Sequence, residues 1–236
     1  MKNKLIDIHT HLIYGVDDGA RNLEESLKLI KMAMDQGVVV IIATPHSKVP
    51  KEEILTKAEI IKKLIKEEDI KLYVGHEIFY SSSTIKDLKK GKLLTLANSR
   101  YILVEFDVNV SFNYLKIAIR DIEVSGYIPI LAHVERYYCL RKIGKIDEIV
   151  GLGALLQMNY ESLYGSFFSK DTNWCKRQVK AGKISFLATD MHGMYFRRPE
   201  ITKALLWLNR NVEEYMENMI YASAYKIIVN TNRMEY

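Results

Sequence analysis

Along the chain, short runs of apolar and often β-branched residues alternate with longer segments in which apolar side chains recur every three or four positions. The short runs predict strands at Lys4–His9, Val38–Thr44, Lys71–Gly75, Tyr101–Glu105, Ile128–Ala132, Ala154–Met158 and Ile184–Thr189. The longer segments predict helices. Asn22 followed by Glu25 is like a capping box and starts a helix that runs through Met34 and stops near Gly37. Others cover Glu52–Glu67, Phe112–Ser125, Ile143–Val150 and Thr172–Ala181, with two more segments after Pro199. Strands alternating with helices in this way build a parallel sheet covered by helices. Seven such repeats in 236 residues predict a closed or nearly closed barrel, with an open doubly wound sheet as the competing arrangement. No Pro/Gly/Ser linker, low-complexity stretch or clear repeat divides the chain, so residues 1–236 are expected to form a single α/β domain.

Composition excludes several classes of function. Hydrophobic residues make up 48% and charged residues 27%, ordinary for a globular protein with a sizeable core. The formal charge of +5 is mild, and the lysines are spread along amphipathic helices with glutamates between them. Without a block of five or six like charges, neither a nucleic-acid groove nor a membrane-binding tail gains support. The longest apolar runs, such as Val38–Ala43 and Leu152–Leu156, are far too short to cross a bilayer, and the strand-like run from Lys4 leaves no room for a signal peptide. Cys139 and Cys175 stand far apart with no C-x-x-C spacing, as expected of two reduced thiols in a cytoplasmic protein.

The histidines carry the chemistry. There are six, and each falls at or just beyond the end of a predicted strand: His9 and His11, then His46, His76, His133 and His192. In parallel α/β proteins those ends carry the functional site, and six histidines at one end of a fold are hard to assign to chance. Strand parity points Asp7, His9 and His11 the same way, so two imidazoles can share a metal while Asp7 orients a ligand ring from behind. Asp190 and His192 repeat the spacing. Glu77 and Glu105 end the third and fourth strands, where burial of an unpaired carboxylate is costly unless a cation offsets it. By the same parity His76 faces away from Glu77 and is assigned to packing or a supporting contact. Mixed His/Asp/Glu ligation without thiolate suits Mn²⁺, Fe²⁺ or Zn²⁺. The donors His9, His11, His46, Glu77, Glu105, His133, Asp190 and His192, with an aspartate from Asp17-Asp18, are too many for one ion and could serve three.

Other motifs fail. Gly151-Leu152-Gly153 lacks the third glycine of a dinucleotide loop, and there is neither a Walker loop nor a G-x-S-x-G elbow. A cysteine phosphatase wants arginine six residues after its nucleophile; Cys139 is followed there by Lys145 and Cys175 by Ala181.

Four pieces in order, Asp7-Ile8-His9-Thr10-His11, Thr44-Pro45-His46, Leu131-Ala132-His133 and Thr189-Asp190-Met191-His192, resemble the motifs of the PHP (polymerase and histidinol phosphatase) superfamily along nearly the full length. More narrowly, Val16-Asp17-Asp18-Gly19-Ala20, Ile42–His46, Gly75-His76-Glu77-Ile78 and Leu131–Tyr137 resemble the manganese-dependent protein-tyrosine phosphatases of Gram-positive capsule and exopolysaccharide operons, the CpsB/YwqE type. Ser47 stands where those phosphatases often carry a second histidine, which bears on a peripheral contact and not on the metal cage.

The resemblance implies a distorted (β/α)₇ barrel of PHP type holding up to three divalent ions, Mn²⁺ first, with Fe²⁺, Co²⁺ or Zn²⁺ as alternatives. It assigns His9, His11, Glu77 and Asp190 to one ion. Glu77 bridges to a second, bound also by Glu105 and His133, and His46, His192 and Asp18 hold the third; Asp17 is one residue away. Metal lowers the pKa of a bound water to about 7, supplying hydroxide without a protein nucleophile. Arg136 is the expected extra cation on the developing charge, and Arg197 or Arg198 a further phosphate contact. Tyrosine leaves as a phenolate of pKa about 10, so a strong general acid is less necessary. The implied substrate is a tyrosine-phosphorylated protein, above all the tail of an autophosphorylating bacterial tyrosine kinase; an oligomer is left open. Two readings compete: a PHP-type phosphatase for a small molecule such as histidinol phosphate, or a nuclease, and a non-catalytic metal-binding scaffold. A metabolite enzyme wants a lid, and the longest segment that could supply one is Ser162–Asp171.

Overall fold

The computed structural model describes residues 4–165 and 168–230, so residues 166 and 167 of the Ser162–Asp171 segment lie outside the described residues. The seven predicted strands appear in order, with one unpredicted strand, β4, after the third: β1 (Leu5–Asp7), β2 (Val38–Ala43), β3 (Lys71–Val74), β4 (Glu77–Phe79), β5 (Tyr101–Glu105), β6 (Ile128–Leu131), β7 (Leu155–Asn159) and β8 (Phe186–Ala188). All pairings are parallel, in one run β1-β2-β3 and a second run β4-β5-β6-β7-β8. Two short bridges join the runs into a ring: His46 pairs with Glu77, and Thr10 with Met191. The result is a distorted barrel of seven staves, the third broken into β3 and β4.

That break corrects one expectation. Glu77 does not end the third strand; it begins β4, after the chain is interrupted at Gly75-His76. Gly75 passes so close to Leu96 that a Cβ there would lie 2.7 Å from Leu96 Cδ2. His76 is buried with its two ring nitrogens on Val49 O (3.0 Å) and Leu94 N (2.9 Å), and burial lowers its pKa to about 4, so it is a neutral packing residue, as parity suggested.

Helices α1 (Leu23–Asp35), α2 (Lys51–Leu64), α3 (Thr84–Lys89), α4 (Phe112–Val124), α5 (Lys145–Gly151), α6 (Lys170–Lys180) and α7 (Thr202–Asn211) lie in the connections, followed by α8 (Glu213–Glu217) and α9 (Ser223–Val229). Short α3 was not predicted; α1, α2 and α4 to α6 fall within a few residues of expectation, and the two segments expected after Pro199 correspond to α7 and to α8 and α9, which run on through a π-helical turn at Asn218–Ala222. Asn22 caps α1 by accepting from Glu25 N at 3.0 Å, but the Glu25 carboxylate returns to Arg21 N and Nε rather than to Asn22.

The interior of the barrel is filled by Ile6, Ile8, Ile42, Leu103, Ile130, Ala132, Phe186 and Ala188, and is closed at the N-terminal end by Leu96, Ala97 and by Ala224 and Ile227 of α9. A larger apolar layer lies between the staves and the helices. Its floor is packed and apolar, and the C-terminal strand ends carry the histidines and carboxylates. Among the described residues no helix is long and apolar enough to cross a membrane.

Candidate metal centre

Beyond β1 the chain stays extended through Thr10, whose bridge to Met191 fixes His9 and His11 against the end of β8. The loop after His11 then folds back on it: Ala20 N donates to His11 O at 3.0 Å. A Cβ on Gly19 would lie 1.9 Å from that same oxygen, so only glycine permits the approach. This return places Asp17 and Asp18 on different partners. Asp17 Oδ2 meets His11 Nδ1 at 2.8 Å, while Asp18 Oδ1 lies 3.2 Å from His46 Nε2 and 3.6 Å from His192 Nε2.

Glu77 is the hub. It is 1% exposed. Its Oε1 lies 3.2 Å from His9 Nε2 and 2.9 Å from His133 Nε2, and its Oε2 lies 3.3 Å from His11 Nε2 and 3.1 Å from His46 Nδ1. Glu105 flanks it, 3.4 Å from His46 Nδ1 and 3.6 Å from His133 Nε2. Asp190 divides its oxygens: Oδ1 lies 3.4 Å from His9 Nε2 and 3.6 Å from His11 Nε2, and Oδ2 accepts from Arg136 Nη2 (2.6 Å) and Asn159 Nδ2 (2.9 Å). All nine sequence-derived metal-ligand candidates thus converge. Their donor atoms form overlapping groups: His11, Asp18, His46 and His192; His9, His11 and Asp190; His9, Glu77 and His133; His46, Glu77 and Glu105.

Three rings are held with one face committed. His9 Nδ1 is 3.1 Å from Gln157 Oε1, His11 Nδ1 meets Asp17, and His192 Nδ1 is 2.8 Å from the Asp190 carbonyl oxygen. An N–H donated outward leaves the Nε2 lone pairs of His9 and His11 facing the cluster, the orientation a divalent ion requires, whereas His192 Nε2 has Arg197 Nη1 2.9 Å away. His133 Nδ1 is buried without a partner among the described residues, and its Nε2 faces Glu77 and Glu105. Five imidazoles and four carboxylates without thiolate fit Mn²⁺, Fe²⁺ or Zn²⁺ chemistry.

Electrostatics agree. Hydrogen bonds to Glu105 and Glu77 raise His46 to about 10. Burial opposes protonation of His11 and His133, yet hydrogen bonds to Asp17 and Glu77, and to Glu105 and Glu77, raise each to about 9. Burial also opposes ionisation of Glu77 and Asp190, but interactions with the surrounding side chains, that with His9 foremost, hold both below the usual carboxylate range. His192 goes the other way: burial and the neighbouring His11 charge lower it to about 4. The carboxylates therefore demand positive charge, from protons or from metal.

Arg136 and Arg197 reach the cluster; Arg198 does not, its guanidinium lying 3.7 Å from Glu200. Arg197 Nη1 sits 2.9 Å from His192 Nε2. Ser47 serves the scaffold, its N donating to Glu77 O at 2.9 Å and its Oγ accepting from Phe79 N at 3.2 Å. Asp7 does not orient a ring; it accepts from Thr189 N (3.1 Å) and Oγ1 (2.6 Å) and ties β1 to β8. Sequence reasoning missed Gln157 and Asn159. Gln157 Oε1 also accepts from His133 N at 2.7 Å, and Gln157 Nε2 donates to Asn159 Oδ1 at 2.8 Å, so two amides of β7 align His9, His133 and Asp190. Their signal was present: polar residues two apart at the end of a strand share one face. Cys139 and Cys175 lie apart from this chemistry, and burial raises both thiols, Cys175 to about 12.

The chain as a whole is similar to known proteins. A CpsB from Streptococcus agalactiae, a tyrosine-protein phosphatase, is 30% identical over 230 residues, 92% of this chain and 95% of the relative. The tyrosine-protein phosphatase YwqE of Bacillus subtilis is 33% identical over 234 residues, 96% of this chain and 92% of the relative. A solved structure from work on YwqE of Bacillus subtilis and CpsB of Streptococcus pneumoniae, metal-dependent tyrosine phosphatases, matches with a TM-score of 0.87 at 32% identity, covering 96% of this chain and 95% of that one. A histidinol phosphate phosphatase from Lactococcus lactis, 13% identical with a TM-score of 0.58, shares the fold. The model of the capsular polysaccharide synthesis family CpsB/CapC matches residues 5–229, and the chain belongs to that family.

Proposed function

We propose that this protein is a metal-dependent protein-tyrosine phosphatase, a phosphoric monoester hydrolase acting on phosphotyrosine. The observation that carries the reading is Glu77, a buried carboxylate with four imidazoles at 2.9, 3.1, 3.2 and 3.3 Å. Such a group is costly to bury unless cations complete its surroundings, and relatives spanning the same length are named tyrosine-protein phosphatases. We assign His9, His11, Glu77 and Asp190 to one ion, Glu77, Glu105 and His133 to a second, and Asp18, His46 and His192 to a third, with Mn²⁺ the first choice. When bound, such ions supply an acidified water and positive charge against the phosphoryl oxygens.

The chain's own groups do the rest. Gln157, Asp17 and the Asp190 carbonyl keep the Nε2 atoms of His9, His11 and His192 turned inward. Arg136, hydrogen-bonded to Asp190, is the cation for charge developing on the phosphoryl group, and Arg197 is a second phosphate contact. Arg198, paired with Glu200, is the weaker choice. The leaving phenolate has an ordinary pKa of about 10, which relieves the site of a strong acid.

The family's place in capsular polysaccharide synthesis supports a substrate in that system. We assign the phosphotyrosine-bearing tail of an autophosphorylating bacterial tyrosine kinase, met in the cytoplasm. A disordered tail can enter a barrel mouth without either globular domain refolding. The test is to reconstitute the protein with Mn²⁺ and assay a phosphotyrosyl peptide beside histidinol phosphate. Faster peptide turnover is expected. Faster turnover of histidinol phosphate moves the protein to the metabolite reading, and no turnover after verified loading leaves a scaffold.

A further inference from the structure

The loop after β8 carries two aromatic rings into solvent beside the metal centre: Tyr195 is 93% exposed and Phe196 75%. Rings left this open forgo the burial that ordinarily holds them. Yet the loop is tied down. His192 N donates to Arg197 O at 2.9 Å, closing a tight turn with the rings at its tip. Met194 N reaches Glu25 Oε1 at 3.5 Å, and Glu25 is itself fixed by Arg21 N and Nε at 3.0 and 2.9 Å. Arg197 adopts φ 48°, turning the chain back so that its guanidinium lies against His192 and 3.6 Å from Asp190 Oδ2. A cavity of about 260 Å³ opens between this loop and the Asp18-Gly19 turn, bounded by His192 within and by Met194, Tyr195 and Phe196 outside.

The loop thus offers a cation at its inner end and aromatic faces at its outer end. That polarity complements a phosphoryl group carried on an aromatic stem. We propose that Tyr195 and Phe196 clamp the phenyl ring of phosphotyrosine and so set a preference for phosphotyrosine over phosphoserine; this rests on the tyrosine-phosphatase reading above. Phosphoserine has no ring to fill the space between the rings at the tip and His192, and its short stem would draw the peptide backbone against the rings.

The experiment measures kcat/KM for phosphotyrosyl and phosphoseryl versions of one peptide, with Mn²⁺-loaded wild type and the Tyr195→Ala/Phe196→Ala variant. The phosphotyrosine-to-phosphoserine ratio is expected to fall about tenfold, the scale of one or two aromatic contacts, chiefly through a higher KM for the phosphotyrosyl peptide. Tyr195→Phe, which keeps the ring, should hold the ratio. If the double variant fails to fold, each single alanine variant should lower the ratio about threefold. A wild-type preference for phosphotyrosine that survives the substitutions overturns the clamp alone. So does a variant that alters only the sedimentation coefficient, which would make the rings a contact between copies of the chain. A wild type that hydrolyses neither peptide, or prefers phosphoserine, removes the tyrosine-phosphatase reading and the clamp with it.

Discussion

Gln157 shows how much of the site rests on residues that never face an ion. One side-chain oxygen receives both His9 Nδ1 and the backbone N of His133, so Gln157→Leu should leave the His9 ring and the His133 backbone without their anchor. The expected cost is a 10–100-fold loss of metal affinity, roughly the range for outer partners of ligands, read by competition with a coloured chelator. Arg136→Ala should lower turnover about a hundredfold at full metal content, whereas Cys139→Ser/Cys175→Ser should retain most activity. Protonation follows from the same contacts. His11, His46 and His133, raised from 6.5 to about 9, 10 and 9, stabilise the metal-free fold fully below pH 6.5, and that contribution is lost as pH rises through those values. His192, lowered to about 4, and the depressed Glu77 and Asp190 act oppositely, their contributions being lost as pH falls. The urea midpoint of chelator-treated protein should therefore peak near pH 6–7 and decline towards 10; a rise across that interval would contradict the assignment. Mn²⁺ loading near pH 7.5 should expel protons, visible in weakly buffered solution. Residue identities along the strand ends made the histidines and Glu105 legible in sequence. The backbone beneath them was not: His133 and Asp190 adopt φ 31° and 52°, conformations that side-chain-bearing residues reach only when their surroundings impose them.

The turn from Val16 to Ala20 behaves as a unit, because Gly19 must pass within contact of the His11 carbonyl for Asp17 and Asp18 to reach their separate partners. Gly19→Ala should push this turn away from His11, lowering metal content and destabilising the fold by roughly 2 kcal/mol or more. Thermal melting and metal analysis of the variant check both, and an unchanged protein would mean that the turn is slack. The repeating apolar runs revealed the staves because β2, β5 and β6 are buried enough to exclude polar residues over most of their length. The same logic overextended at the third stave. Its place just after the apolar run makes Glu77 look like a strand end, whereas the chain breaks at Gly75 and His76, with His76 bonded to Leu94 and Val49. Short α3 escaped because Thr84–Lys89 is too brief for a helical period to declare itself.

At the scale of the whole molecule, the apolar floor and the polar mouth make the barrel two-ended, and ions at the mouth should contribute to stability as any ligand of the native state does. With free Mn²⁺ at 100 times its dissociation constant, about 2.7 kcal/mol is expected, which corresponds to a rise in Tm of roughly 5–10 °C for a chain of this length. Calorimetry with and without chelator measures it. The seam where β8 meets β1 gives this a further meaning. It is closed by the Thr10–Met191 bridge, with His9 and His11 on one lip and Asp190 and His192 on the other. Ions bound across those lips would work as a clasp. A cell starved of the metal would then lose the enzyme to proteolysis instead of storing it idle, and the abundance of this protein would track its metal supply.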